Sequence, residues 1–210
     1  KLVVFSFVVP LRIDLRMGSA IKIEIIDGKK EAKIISNTNF FDTINKEKTF
    51  LYVDIGGGST EFSVLINGKR NESKSFKIGT VRMLNSKVEQ VTLDEAEAWV
   101  RRNTLVHERI SLLGTGGNIN KLHKIANISD NDPLSYSTLN ALYNQLDALT
   151  YEERIVKLGL NPDRSDVILP AAKLFIKFLN WSGAKNIYVP KSGLSDGMIR
   201  ELYKRKKLPF

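Results

Sequence analysis

The alternation of apolar and polar positions divides the chain into strands early and helices late. Leu2 to Val9 is an apolar run that reads as a strand. Ile21, Ile23 and Ile25 alternate with Lys22 and Glu24 as a second strand, stopping at the Asp27-Gly28 turn signal. Lys29 to Ser36 reads as a short helix containing Glu31, and the polar stretch Asn37 to Lys48 marks the expected boundary between domains. Phe50 to Ile55 reads as a buried strand, while Phe62, Val64 and Ile66 alternate with Glu61 and Ser63 as a half-buried one. Asn67-Gly68 is a type I′ hairpin signal leading into a third strand that ends near Phe76 to Ile78. The spacing thus predicts a three-stranded antiparallel meander, left through Gly79-Thr80-Val81-Arg82.

Helical periodicity takes over afterwards. Thr92, with Glu95 three residues on, predicts a capping box opening a helix to Arg102. Ile110 to Leu113 reads as a buried strand that runs into Gly114-Thr115-Gly116-Gly117-Asn118, with a helix following whose Ile119, Leu122 and Ile125 share a face. Ser137 to Leu149 is a helix; Thr150 to Leu158 is another, opened by a Thr150/Glu153 capping box and closed by Gly159. Asn161-Pro162-Asp163 reads as a turn, and Ser165 to Trp181 as a long apolar helix kinked or broken at Pro170. Ile187 to Val189 is a last strand and Ser195 to Lys206 a closing helix.

Two glycine loops carry the candidate chemistry. The first, Asp54-Ile55-Gly56-Gly57-Gly58-Ser59-Thr60-Glu61, lies between two strands. A dinucleotide fingerprint or a Walker loop needs a helix directly after its glycines, so neither fits. Positive φ at Gly56, Gly57 and Gly58 would let a ligand approach the main chain, and successive N–H groups would form an anion-binding concavity. Ser59 and Thr60 add hydroxyls. Asp54 and Glu61 set a carboxylate at each end, an arrangement that repels phosphate unless Mg²⁺ lies between. A glycine-rich turn with two solvated acids is the plain alternative. In the second loop a helix does follow, so its N-terminus and bare amides suit an anion.

Composition narrows the partners. Of 210 residues, 42% are hydrophobic and 26% charged, which is ordinary for a globular protein with a real core. There is no cysteine, which removes disulfides and thiolate chemistry, and the two histidines, His107 and His123, read as surface or partly buried residues rather than a metal site. A net charge of +9 favours an anionic partner. Nucleic acid is not indicated: the basic run Lys204 to Lys207 reads as a solvated helix end without interleaved aromatics. No segment reaches the roughly 18 apolar residues of a membrane span.

Taken in order, the motifs resemble the exopolyphosphatase and guanosine pentaphosphate phosphohydrolase family, a branch of the actin-like, ribonuclease-H-like fold. The matching segments are Ile25 to Gly28 with Glu31-Ala32, Asp54 to Glu61, Gly79 to Arg82, Gly114 to Gly117, and Glu152-Glu153-Arg154 with Gly159-Leu160. Arg164 to Ile168 with Pro170, then Ser192-Gly193-Leu194 and Gly197, continue the series. The resemblance implies an α/β fold, a ribonuclease-H-like domain with a mixed sheet flanked by helices. It also implies a cytoplasmic, commonly dimeric enzyme that hydrolyses the terminal phosphate of polyphosphate or guanosine pentaphosphate with Mg²⁺. Carried over, Glu31 aligns with the catalytic base, and Asp54 and Glu61 with the acidic pair for metal and water. Gly56, Gly57, Gly58, Ser59 and Thr60, with Arg82, align with one phosphate loop and Gly114, Thr115, Gly116, Gly117 and Asn118 with another.

Departures shape the expected domains. The family's earlier phosphate turn and its Thr-Ser-Ala-x-Arg motif have no counterpart before Ile21, so the first domain of the usual pair is expected to be largely missing. Residues 1–45 are read as its remnant, with Glu31, and 46–210 as the second domain. Asn118 and Asn120 replace the more usual Thr and Arg of the second loop, removing one cation. Two other readings stand beside the hydrolase: a non-catalytic polyphosphate- or nucleotide-binding protein of the same fold, and a sugar-kinase or chaperone-type ATPase.

Overall fold

The computed structural model describes residues 3–5, 23–25, 49–67, 69–130 and 132–190. The chain divides into two units, residues 44–191 and residues 1–43 with 192–210. In the smaller unit, β1 (Val3–Phe5) and β2 (Ile23–Ile25) pair in parallel with Val3 opposite Ile23. The helices expected at Lys29 to Ser36 and Ser195 to Lys206, together with Glu31, lie outside the described residues.

In the larger unit, β3 (Thr49–Ile55), β4 (Thr60–Ile66) and β5 (Lys69–Phe76) form the expected antiparallel meander. Asn67 turns the second hairpin with a φ of 51°. Two further strands join β3 in parallel, β6 (Ile110–Thr115) and then β8 (Asn186–Tyr188), while β7 (Leu134–Ser135) closes the far edge antiparallel to β8. The sheet runs β5-β4-β3-β6-β8-β7. This mixed sheet, flanked by helices, is the architecture the sequence led us to expect.

Because side chains alternate along a strand, the register assigns each residue a face. One face carries Leu51, Val53, Ile55, Phe62, Val64, Phe76 and Leu112, all buried in the main core with the helices. The opposite face carries Phe50, Tyr52, Ser63, Leu65 and Leu113, which are buried too. The half-buried reading of β4 is therefore corrected: Ser63 is only 1% exposed, because both faces of the central strands are covered.

The helical layer is α1 (Thr80–Leu84), α2 (Gln90–Thr104), α3 (Gly117–Ile125), α4 (Tyr136–Asp147), α5 (Tyr151–Leu158), α6 (Pro162–Ser165) and α7 (Ile168–Ser182). Apolar α7 is its centre: Phe178 meets Phe62 edge-on with ring centroids 4.8 Å apart, and also contacts Trp181 and Phe175.

Four expectations change here. No Thr92 box forms, because α2 begins two residues earlier behind Glu89, which places Thr92 inside the first turn. Asn161-Pro162-Asp163 is not a simple turn: Asn161 precedes α6, whose first residue is Pro162, a position where proline's fixed φ and missing N–H cost nothing. Nor does Pro170 break a helix, since α7 starts at Ile168 and its first N–H groups have no intrahelical acceptor to lose. By contrast the Thr150/Glu153 box closes in both directions, and Gly159 ends α5 in the left-handed region at φ 57°. His123 is buried at 7% exposure, its Nε2 3.0 Å from the Asp132 carbonyl, which corrects its reading as a surface or partly buried residue.

Candidate functional site

Asp54 and Glu61 are neighbours in space because the loop between them is so short. Ile55 and Thr60 form the last pair of the β3–β4 ladder, and Asp54 stands directly opposite Glu61 one step further in. Both lie on the face that also carries Tyr52 and, across β6, Thr115. Thr115 is in register with Asp54, and its hydroxyl donates to the Tyr52 hydroxyl at 3.0 Å. Both carboxylates are half-buried.

The loop Gly56 to Ser59 is pinned through its carbonyls. Gly56 N–H donates back to the Ser59 carbonyl at 2.9 Å, closing the turn. The N–H of Thr80 reaches the Gly56 carbonyl at 3.0 Å, and those of Val81 and Arg82 reach the Gly57 carbonyl at 3.0 and 3.2 Å. Arg82 Nε adds a bond of 2.8 Å to the Gly58 carbonyl. The orphan donors at the start of α1 are thus used up on the loop, and Arg82 acts as its clamp. Among the described residues no hydrogen bond engages the N–H of Gly57, Gly58 or Ser59, and all three glycines are exposed. A pinned carbonyl side and an open N–H side suit an anion.

The glycines do this without positive φ, contrary to expectation: none of Gly56, Gly57 or Gly58 lies in the left-handed region. What glycine provides is clearance. A Cβ at Gly79 would fall on the Gly57 carbonyl, and one at Gly57 would press on Val81 Cγ2 at 3.2 Å, whereas at Gly58 there is open space. Thr60 is fully buried, on the opposite sheet face from Asp54 and Glu61, with its hydroxyl donated to the Ile78 carbonyl at 2.6 Å. Ser59 is half-buried.

The second loop adjoins the first. Gly114 and Thr115 end β6; Gly116, at φ 99°, turns the chain into α3 at Gly117. A Cβ on Gly116 would stand 3.1 Å from Asp54 Oδ1, so the acid of one loop lies against the backbone of the other. Over Gly117 lies the guanidinium of Arg164, close enough that any side chain there would collide with it, and Arg164 Nη1 donates to Asn118 Oδ1 at 3.2 Å. A cation therefore stands at this loop from a residue 46 positions after Asn118. Arg164 was missed as a site residue; its signal was a lone arginine between Asp163 and Asp166 at the start of the apolar helix.

Among the described residues no group of three or more His, Asp or Glu side chains gathers to cage a metal. A facing pair of carboxylates nonetheless fits Mg²⁺, which binds through one or two carboxylates and completes its shell with phosphate oxygens and water.

Residues 11–206 match the Ppx/GppA phosphatase family. Over 206 residues the chain is 30% identical to a bifunctional 3-dehydroquinate synthase/phosphatase of Fusobacterium nucleatum, covering 86% of this chain and 30% of that protein. It is 28% identical over 194 residues to a provisionally named exopolyphosphatase of Haemophilus influenzae, covering 85% and 58%. The crystal structure of an Aquifex aeolicus Ppx/GppA family member aligns with a TM-score of 0.68 at 21% identity, over 89% of this chain and 66% of that one, which shows the shared actin-like fold. The chain thus spans between 30% and 66% of the length of these relatives.

Proposed function

The chain belongs to the Ppx/GppA phosphatase family, and from that premise we propose that it is a phosphohydrolase releasing the terminal phosphate of inorganic polyphosphate or of guanosine pentaphosphate. The observation that carries the reading is the meeting of the two loops: Asp54 faces Glu61 across the ladder, lies against Gly116 of the second loop, and opens the stretch whose Gly57, Gly58 and Ser59 N–H groups make no hydrogen bond among the described residues.

In the proposed reaction a water oxygen bonds to the terminal phosphorus as the bridging P–O bond breaks, and the shortened chain leaves on the bridging oxygen. Such a transfer needs positioning and fixed donors around the equatorial oxygens more than covalent help. The loop N–H groups supply those donors. They are preorganised because their carbonyls are already bound to α1 and Arg82, so no reorganisation is spent during the reaction. Glu31, outside the described residues, is the proposed base that takes the water's proton. Asp54 and Glu61 would hold Mg²⁺, which when bound supplies charge neutralisation to the phosphate oxygens. The net charge of +9 suits a polyanionic substrate. A cytoplasmic setting and a homodimer complete the proposal; among the described residues no helix is long and apolar enough to cross a membrane.

The test is phosphate release with Mg²⁺ from long-chain polyphosphate, guanosine pentaphosphate and ATP in parallel, with Glu31→Gln and Asp54→Asn alongside. Release from one of the first two, lost in both variants, is expected. Absence of release together with salt-sensitive polyphosphate binding would make the chain a binding module instead, and turnover of ATP alone would point to an ATPase.

A further inference from the structure

β5 is the outermost strand of the six-stranded sheet, paired with β4 on one side and, among the described residues, with no strand on the other. Lys69 and Asn71 to Ser75 are exposed, and Phe76 is buried. Such an edge presents a row of N–H and C=O groups that another strand can take up. The irregularity between Val64 and Leu65 is confined to one end of the pairing, so Glu72 to Phe76 run in unbroken register with Val64 to Thr60.

Charge decides what this edge accepts. Lysines alone would guard it against pairing, because two copies would set like charges together. Here the signs differ on either side of Ser73: Glu72 precedes it and Lys74 follows. When the strand meets a second copy of itself antiparallel, with Ser73 opposite the partner's Ser73, Glu72 faces the partner's Lys74 and Lys74 faces the partner's Glu72. A slide of two residues sets Glu72 on Glu72 or Lys74 on Lys74, and a slide of one sets each against serine or asparagine. One register is therefore favoured. Among the described residues neither Glu72 nor Lys74 is in an ion pair. Lys74 Nζ lies 4.8 Å from the centre of the Phe76 ring, on the sheet face that carries Phe62.

We propose that β5 is a self-pairing edge, joining two copies of this chain into one continuous sheet through the Glu72 and Lys74 register. The inference rests on the homodimer in the reading above and names its interface. The contact is isologous, so each cross-strand ion pair occurs twice. Because the two-fold axis of an antiparallel pair stands perpendicular to the sheet, the Asp54 and Glu61 faces of both copies lie on the same side. Glu61 is paired with Ser75, two residues from the axis, so the hairpin that carries it is tied into the joint sheet.

The experiment follows association of the full chain by sedimentation over a concentration series at low and high salt. It compares wild type, Glu72→Lys, Lys74→Glu, the exchanged pair Glu72→Lys/Lys74→Glu, and Lys173→Glu as a charge change on an exposed position of α7. Wild type is expected to form dimers. Each single variant turns both attractive pairs into like-charge pairs and should weaken dimerisation about tenfold at low salt, and less at high salt. The exchanged pair should recover it, and Lys173→Glu should leave it unaltered. A wild type that stays monomeric, single variants that dimerise as wild type does, or an exchanged pair that does not recover despite a wild-type melting curve each overturns the interface. Phosphate release with Mg²⁺ is read on the same samples. Release from a chain whose association ignores these charges leaves the hydrolase and removes the interface, whereas charge-dependent dimers without release do the reverse.

Discussion

Asp54 and Glu61 stand opposite each other across the β3–β4 ladder, on the same sheet face and one pair in from the hairpin loop. Like charges directly opposite in a sheet are unfavourable, so this pair is a place where a divalent cation adds stability. Mg²⁺ is expected to raise the melting temperature of the wild-type chain. At a hundredfold excess over its dissociation constant a ligand contributes about 2.7 kcal/mol, a shift of several degrees for a protein this size. In Asp54→Asn the Mg²⁺-dependent shift should be lost, read by thermal melts with and without the ion. A full shift retained in that variant would remove Asp54 from the metal site.

Gly79 and Gly58 separate two uses of glycine. At Gly79 a Cβ would collide with the Gly57 carbonyl, backbone that cannot swing aside. Gly79→Ala should therefore cost about 1 to 3 kcal/mol of stability, as overpacking does, and loosen the loop. Gly58 has nothing within 4 Å of the added carbon. Gly58→Ala should melt close to wild type yet lower phosphate release, because the methyl group occupies the space a ligand needs. Denaturant midpoints and release rates for the pair make the comparison. Normal activity in Gly58→Ala would mean that no ligand approaches there.

The Thr150/Glu153 box gives a prediction with a sign in pH. The Glu153 carboxyl is held below the usual carboxylate range, first by the hydrogen bond from Lys157, then by the Thr150 N–H and the Lys157 charge. A lowered folded-state value contributes stability that is present above the unfolded-state value and lost as pH falls through the folded one. Acid should therefore loosen the start of α5, and Glu153→Gln should flatten that part of the pH profile. Removing the cap's hydroxyl in Thr150→Ala should cost about 1 kcal/mol at neutral pH. Hydrogen exchange of the α5 amides reads both.

What could be read from sequence here was local, and what could not was long-range. The Thr150 box was legible because both its partners lie within three residues and Gly159 punctuates the far end. The same pattern at Thr92 failed because α2 extends back over Gln90 and Val91, so a cap motif became part of a helical turn. The glycine loop was visible, but its reason was not. Positive φ is the usual inference from consecutive glycines, whereas the constraint on Gly57 is steric and comes from Val81, 24 residues later. Arg164 shows the limit most plainly: nothing near Gly117 in sequence tells that a guanidinium from beyond α5 will lie on it. Burial on the second face of β4 was likewise hidden, since alternation reports one face and is silent on what covers the other.

The final prediction concerns the floor beneath the site. Phe62 follows Glu61 in β4 and points to the opposite face, where its ring meets Phe178 edge-on at 4.8 Å, with Phe76 at 6.0 Å and Trp99 at 6.1 Å around it. Phe178 is fully buried. Phe178→Ala removes a ring from close-packed surroundings and should cost about 3 to 5 kcal/mol, a large part of the 5 to 15 kcal/mol that holds a typical domain folded. Phe178→Leu keeps most of the volume and should cost about half as much or less. Because α7 supports the hairpin through Phe62 and, among the described residues, makes no hydrogen bond to the loop N–H groups, these variants should lose activity through unfolding. At a temperature where the Leu variant is fully folded its phosphate release should match wild type, while the Ala variant loses activity in step with its melting curve. A release rate that falls in fully folded Phe178→Leu would mean that core packing sets the alignment of Glu61 and Asp54, and that the two faces of β4 are mechanically coupled.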